Sequence, residues 1–210
     1  MVNDEMDIEL GCNEIIDAPM TRIEMVRSME SLAHVYRASN EAIAIAITIL
    51  DHLFKIGLSD ELFSANRNGD GVAYGCLMIG IKFYDDNHYV LAWKKNEPSS
   101  FKRAAICEPL ILADIDYDVA PFYFRSIHHQ FFAMVSDGDG NVPGLSSSNR
   151  FLVLQNMLAI YRLIGTDQNL QWLEAMGVPS GVKKILENCT TTNGVEKHIA
   201  TVLTKFVTVN

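Results

Sequence analysis

The stretch EAIAIAITILDHLFKIG, residues 41–57, limits the possible folds more than any other part of this sequence. It is apolar almost all round, and a helix of that kind is buried on most of its sides. The rest of the chain must therefore supply helices to surround it, and its alanines let those neighbours approach closely. Ser39 and Asn40 read as the helix start, and Gly57 is a natural C-terminal stop.

The neighbouring segments carry the same signature. Ile23, Val26, Met29, Ala33 and Tyr36 recur at three- and four-residue steps, the mark of one helical face. Thr21 is placed to cap that helix, with Glu24 as a capping-box partner. SANRNGDG, residues 64–71, is a loop by composition. VAYGCLMIGIKFYDD then returns to near-continuous apolarity. It is long and has few β-branched residues, so helix is preferred over strand. Gly75 and Gly80 each cost such a helix about 1 kcal/mol relative to alanine, and they mark close helix crossings. NHYVLAWKK forms one or two helical turns. Asn96 to Ser100 is a turn with Pro98, and Ser99 or Ser100 caps the next helix, FKRAAICEPLILADI. Pro109 either kinks that helix or lies near the first turn of a later-starting one.

After Pro121, FYFRSIHHQFFAMV is helical by pattern. Residues 136–149 are a polar, Gly/Ser-rich loop, and helices follow at 149–164, 168–176, 179–188 and 195–206. Residues 1–18 are acidic and weakly patterned, either a flexible arm or a short helix. The expectation is an all-α protein of six to nine helices.

Composition removes several function classes. The hydrophobic content of 49% over 210 residues suits a buried core in one domain, or in one domain with a helical extension. A formal charge of −9 argues against general affinity for nucleic-acid phosphates. No signal-peptide pattern opens the chain and no uncharged apolar run approaches the ~20 residues of a membrane span, so an intracellular protein is expected, in nucleus or cytoplasm. In that compartment the Asn188-Cys189-Thr190 triplet is not glycosylated. Cys12, Cys76, Cys107 and Cys189 lie far apart, which disfavours a zinc site, and Cys76 and Cys107 read as core thiols. His128 and His129 point about 100° apart on a helix and make poor joint ligands. Asp137, Asp139 and Asn141 imitate the start of a calcium loop, but Val142 replaces the required glycine and Ser148 the closing glutamate. No phosphate-cradling glycine loop and no nucleophile elbow is present. Asp114, Asp116 and Asp118 read as solvated surface. The sequence offers no catalytic residues, no metal site and no cofactor.

The segment TRIEMVRSMESLAHVYRASNEAIAIAITILDHLF resembles the first two helices of the cyclin box, without a gap from Arg22 to Phe54. Arg22 falls on the arginine of the family's first-helix motif and Asp51 on the aspartate of its second helix, while His52 replaces the arginine that usually follows. LMIGIKFYDD is similar to the third helix, with Lys82 on its terminal lysine. ICEPLILADIDYDV is similar to the fifth, with Glu108 on its glutamate. The run KFYDDNHYVLAW looks most like the cyclins of the phosphate-regulation class.

The resemblance implies a cyclin-box five-helix bundle around a buried central helix. It spans residues 20–124, with an N-terminal arm at 1–19 and a C-terminal helical region at 125–210. That last region is either a worn second box or unrelated helices. It further implies a regulatory subunit, not an enzyme, that forms a heterodimer with a cyclin-dependent-type protein kinase and activates it in cell-cycle or nutrient-response control. Lys82, Glu108, Phe83 and Asp85 would form the kinase interface, and Arg22 with Asp51 a structural ion pair. The alternative is a cyclin-fold adaptor for transcription or other regulatory proteins. No nucleic acid and no membrane is implied as a partner. Where mitotic cyclins dock substrates on the first helix, this chain carries Ser28 in place of a tryptophan, Glu24 for an apolar residue and Arg27 for an acidic one, so docking through that patch is not expected.

Overall fold

The computed structural model describes residues 20–65 and 70–126, together with 129, 165–167 and 171. These residues are all-helical, with no strand among them. Seven helices are defined: α1 (Arg22–Tyr36), α2 (Asn40–Ile56), α3 (Asp60–Ala65), α4 (Gly71–Tyr84), α5 (Asn87–Asn96), α6 (Pro98–Asp114) and α7 (Ala120–Arg125). No described helix is long and apolar enough to cross a membrane.

Local chemistry explains where the first helices begin and end. The Thr21 hydroxyl accepts the Glu24 amide while the Glu24 carboxylate accepts the Thr21 amide at 2.8 Å, a complete capping box. The Thr21 hydroxyl also donates to the Glu24 carboxylate at 2.8 Å, and the amide and hydroxyl together hold that carboxyl below its usual pKa, the backbone bond contributing most. The α1 helix closes at Arg37, which turns into the left-handed region at φ 55°. The Ser39 side chain accepts the Ala42 amide at 3.0 Å and opens α2, which stops at Gly57, φ 85°.

Two helices fill the interior. Every residue of α2 from Ala42 to Leu50 is buried. Each buried isoleucine side chain contributes about 1.5–3 kcal/mol of apolar burial. Thr48, the one polar side chain in that run, donates its hydroxyl to the Ala44 carbonyl at 2.7 Å, so no bare hydroxyl is left in the core. In α4 every residue from Gly71 to Ile81 except Tyr74 is buried. The α4 helix touches α1, α2, α5 and α6 and is the hub of the bundle.

The glycines of α4 set its crossings. A Cβ on Gly80 would lie 2.3 Å from the Ala42 carbonyl oxygen of α2. A Cβ on Gly75 would lie 2.7 Å from Cδ1 of Ile111 and 3.1 Å from Cβ of Cys107, both on α6. At Gly80 the helix-propensity cost is offset by a backbone approach that any side chain would prevent, and at Gly75 by close contact with the side chains of α6. A second apolar centre forms around Trp93, which is fully buried. Its ring meets Tyr36, Tyr74 and Phe101 at centroid distances of 6.1, 6.1 and 5.9 Å, and its indole N–H donates to the Ser100 hydroxyl at 2.8 Å.

Several expectations need correction. The α6 helix opens at Pro98, not after a serine cap at Ser99 or Ser100, because proline at the first helical position has its φ preset and needs no amide partner. Ser100 instead lies inside the helix and donates back to the Glu97 carbonyl at 3.1 Å. Pro109 is inside α6, which runs on past it to Asp114. Both Pro109 and Ala105, whose carbonyl loses its amide partner there, lie on the exposed face, where the lost bond leaves no buried carbonyl unsatisfied. The α5 helix is ten residues long, more than two turns. The α3 helix was not anticipated, and it absorbs Ser64 and Ala65 from the expected loop. Asp114 and Asp118 are not simply solvated: Asp114 accepts the Ser59 hydroxyl and Asp118 the Ala120 amide, each at 3.2 Å.

The acidic segment 1–18, the loop at 136–149 and the helices expected at 149–164, 179–188 and 195–206 lie outside the described residues, as does the 168–176 segment apart from residue 171. Cys12, Cys189, His128, Asp137, Asp139 and Asn141 lie outside them too.

Candidate functional site

The buried body of α4 ends abruptly. After Ile81 the residues Lys82, Phe83 and Tyr84 are all exposed. Lys82 reaches α6, where its ammonium lies 2.7 Å from both carboxylate oxygens of Glu108. The lysine side chain is 40% exposed and the glutamate 15%, so the pair lies at the edge of the bundle with one face to solvent. Such a pair adds only about 0–1 kcal/mol to stability. Its geometry presents a donor and an acceptor side by side.

Phe83 and Tyr84 follow Lys82 at the end of α4. Their rings lie 6.0 and 5.9 Å from that of Tyr123 on α7, and Tyr123 lies 5.3 Å from Phe124. Phe83, Tyr84 and Phe124 are each exposed by 43% or more, so the aromatic cluster opens onto solvent. The Tyr84 hydroxyl is shifted to higher pKa, first by burial and then by the charge of Glu41. His129 packs on Tyr123 and Phe124 at 4.9 and 5.0 Å. Asp85 faces elsewhere: its carboxylate accepts the Ser39 amide at 2.9 Å and ties the end of α4 to the start of α2.

The second charged group is centred on Asp51. The Arg22 guanidinium donates to both Asp51 oxygens, through Nε to Oδ1 and through Nη2 to Oδ2 at 3.1 Å. Asp51 Oδ2 also accepts the amide and hydroxyl of Thr166, at 2.7 and 2.6 Å. One carboxylate thus joins α1, α2 and a segment more than a hundred residues downstream. Gly165, just before Thr166, sits at φ 65°, a left-handed conformation that glycine adopts without steric cost. Beside it lies an open cavity of about 420 Å³, lined by Arg22, Asp51, Lys55, Arg125, Thr166 and Asp167 among others.

On the first helix, Ser28 is turned inward and donates to the Tyr74 hydroxyl at 3.0 Å, while Glu24 is held in its capping box. Among the described residues no three or more His, Cys, Asp or Glu side chains come together as metal ligands.

Cys76 and Cys107 are reduced and fully buried. Burial pushes the Cys76 thiol far above the usual range, and it pushes Cys107 up to about 11. Alkylation requires thiolate, so in the native protein iodoacetamide should label these two at least about a hundredfold more slowly than in urea. Peptide mass spectrometry reads each site separately, and equal native and unfolded rates would contradict their burial.

The participation of Thr166, Tyr123 and Asp167 was not anticipated. No local pattern marks them, since each acquires its role from a partner remote in sequence. No family model matches the chain, and no curated protein and no solved structure matches it.

Proposed function

We propose that this chain is a cyclin-like regulatory subunit that binds and activates a cyclin-dependent-type protein kinase through the α4–α6 edge. The observation that carries the reading is the Lys82–Glu108 pair, held at 2.7 Å on an exposed edge, with the Phe83, Tyr84, Tyr123 and Phe124 aromatics clustered between the end of α4 and α7. In the cyclin box the corresponding lysine and glutamate meet the kinase. The all-helical bundle, the Arg22–Asp51 pair between α1 and α2, and the two heavily buried helices support the same reading.

The physical mechanism is a competition between contacts. The three donors of a lysine and the acceptors of a carboxylate satisfy opposite groups on a partner helix. The aromatics supply apolar area that water leaves on binding, and such residues dominate interface energies. A kinase regulatory helix pressed inward by this surface completes the kinase's own lysine–glutamate pair and orders its activation segment. Asp85, occupied by the Ser39 amide, acts in this account by fixing where α4 ends.

Affinity purification of the tagged chain, followed by mass spectrometry and a phosphorylation assay, tests the reading. A bound kinase whose activity rises with added chain is the expected result. Recovery of transcription regulators with no kinase would replace it with the adaptor function.

A further inference from the structure

A cavity lies beside Asp51, lined by residues other than Lys82 and Glu108. The whole chain carries a charge of −9, yet among the described residues this cavity is lined by three cations, Arg22, Lys55 and Arg125, against two carboxylates, Asp51 and Asp167. The local charge is therefore opposite in sign to that of the molecule. Asp51 is committed to Arg22 and Thr166. Among the described residues Asp167 bridges the other two cations, lying 3.2 Å from Lys55 Nζ and 3.2 Å from Arg125 Nη2.

These two contacts differ in kind from the Arg22–Asp51 pair. Their side chains are 48–67% exposed, and ion pairs so open to water are weak. Each cation gives only one of its several N–H donors to Asp167. One carboxylate thus stands between two cations that line a cavity of about 420 Å³, a volume in the range of small-ligand pockets. An external group carrying more negative charge than a carboxylate would displace it.

We infer that the Lys55–Arg125 side of this cavity binds a phosphomonoester, with Asp167 acting as a built-in competitor for the same two cations. A phosphomonoester carries about −1.5 to −2 charges at pH 7 and three acceptor oxygens, against one charge on a carboxylate. Arginine with lysine is a common donor set for it. Binding is a simple exchange: the Asp167 carboxylate turns to water and the phosphate oxygens take its N–H donors. The inference is independent of kinase binding.

Isothermal titration of the full chain with inorganic phosphate, and separately with a short phosphoserine peptide and its unphosphorylated form, tests it. Saturable binding of either phosphate probe, with none of the unphosphorylated peptide, is expected. Tighter binding of the peptide identifies a phosphorylated polypeptide as the source; equal binding identifies free phosphate. The double variant Lys55→Met with Arg125→Met should weaken binding at least tenfold, its exposed positions leaving the fold intact. Asp167→Asn should tighten it several-fold, a gain that loss of a merely structural contact does not produce. No saturation with either phosphate probe, in both the native chain and Asp167→Asn, overturns the inference. Binding that the double variant leaves unchanged also overturns it.

Discussion

Replacing Gly80 with alanine is expected to destabilise the protein by about 2–3 kcal/mol. The new Cβ would sit 2.3 Å from the Ala42 carbonyl oxygen. That oxygen belongs to the backbone of a buried helix and cannot rotate away. Relief requires α2 and α4 to separate, and both are buried along most of their length. The gain in helix propensity, about 1 kcal/mol, offsets only part of the cost. Gly75→Ala is the control. Its closest neighbour is the end of the Ile111 side chain, 2.7 Å away, which has other rotamers to adopt. With the same propensity gain its net effect should stay within about 1 kcal/mol. Urea denaturation of the two variants measures the difference. Equal losses would contradict the close approach of α2 to α4.

The second large effect concerns Asp51. Asp51→Ala removes the acceptor of the Arg22 guanidinium and of both Thr166 donors. Breaking a fully buried pair costs about 3–5 kcal/mol, mostly because the surviving charge is left unpaired. Here the two side chains are 20% and 15% exposed, so some water reaches Arg22, and a loss of about 2–3 kcal/mol is expected. Removing both charges together, as Arg22→Met with Asp51→Leu, should recover part of that loss, since no charge is then stranded. Hydrogen exchange should separate the partners: in Asp51→Ala the Thr166 amide loses its acceptor and exchanges faster. A Thr166 amide that exchanges at its native rate in Asp51→Ala would contradict the link between α2 and the downstream segment.

Much of the helical frame was legible because its signals are local. The Thr21–Glu24 box, the Ser39 cap and the Gly57 stop each involve residues within one turn, and periodicity marked the buried faces. Where two local signals competed, the weaker was read: Pro98 at the helix start displaced the serine caps. The α3 helix escaped notice because six residues with one buried side chain, Leu62, have no period to detect. Gly75 and Gly80 announced close crossings but not which helices they meet, since that depends on how the bundle closes. The contact between Lys82 and Glu108 could be named only through the resemblance. Periodicity placed them on separate helices 26 residues apart and said nothing of their meeting. Thr166, 115 residues from Asp51, had no sequence signal at all.

The Asp51 cluster and the α4–α6 edge answer different physical needs. The first ties three distant pieces of chain together through part-buried bonds and is expected to register in stability. The second is exposed, adds little to stability and is expected to register in binding. The variants therefore separate by readout: Asp51→Ala shifts denaturation, whereas changes at the edge leave it nearly untouched.

The most direct test of kinase regulation exchanges the two edge charges, as Lys82→Glu with Glu108→Lys. The exchanged side chains can still pair with each other, so the fold and its denaturation midpoint should be retained. A kinase helix would meet the opposite polarity at both positions. Mispaired charges at a desolvated contact cost about 2–5 kcal/mol, so binding of the co-purified kinase should fall about thirtyfold or more, and activation with it. Native affinity and full activation in the exchanged variant would contradict the central claim.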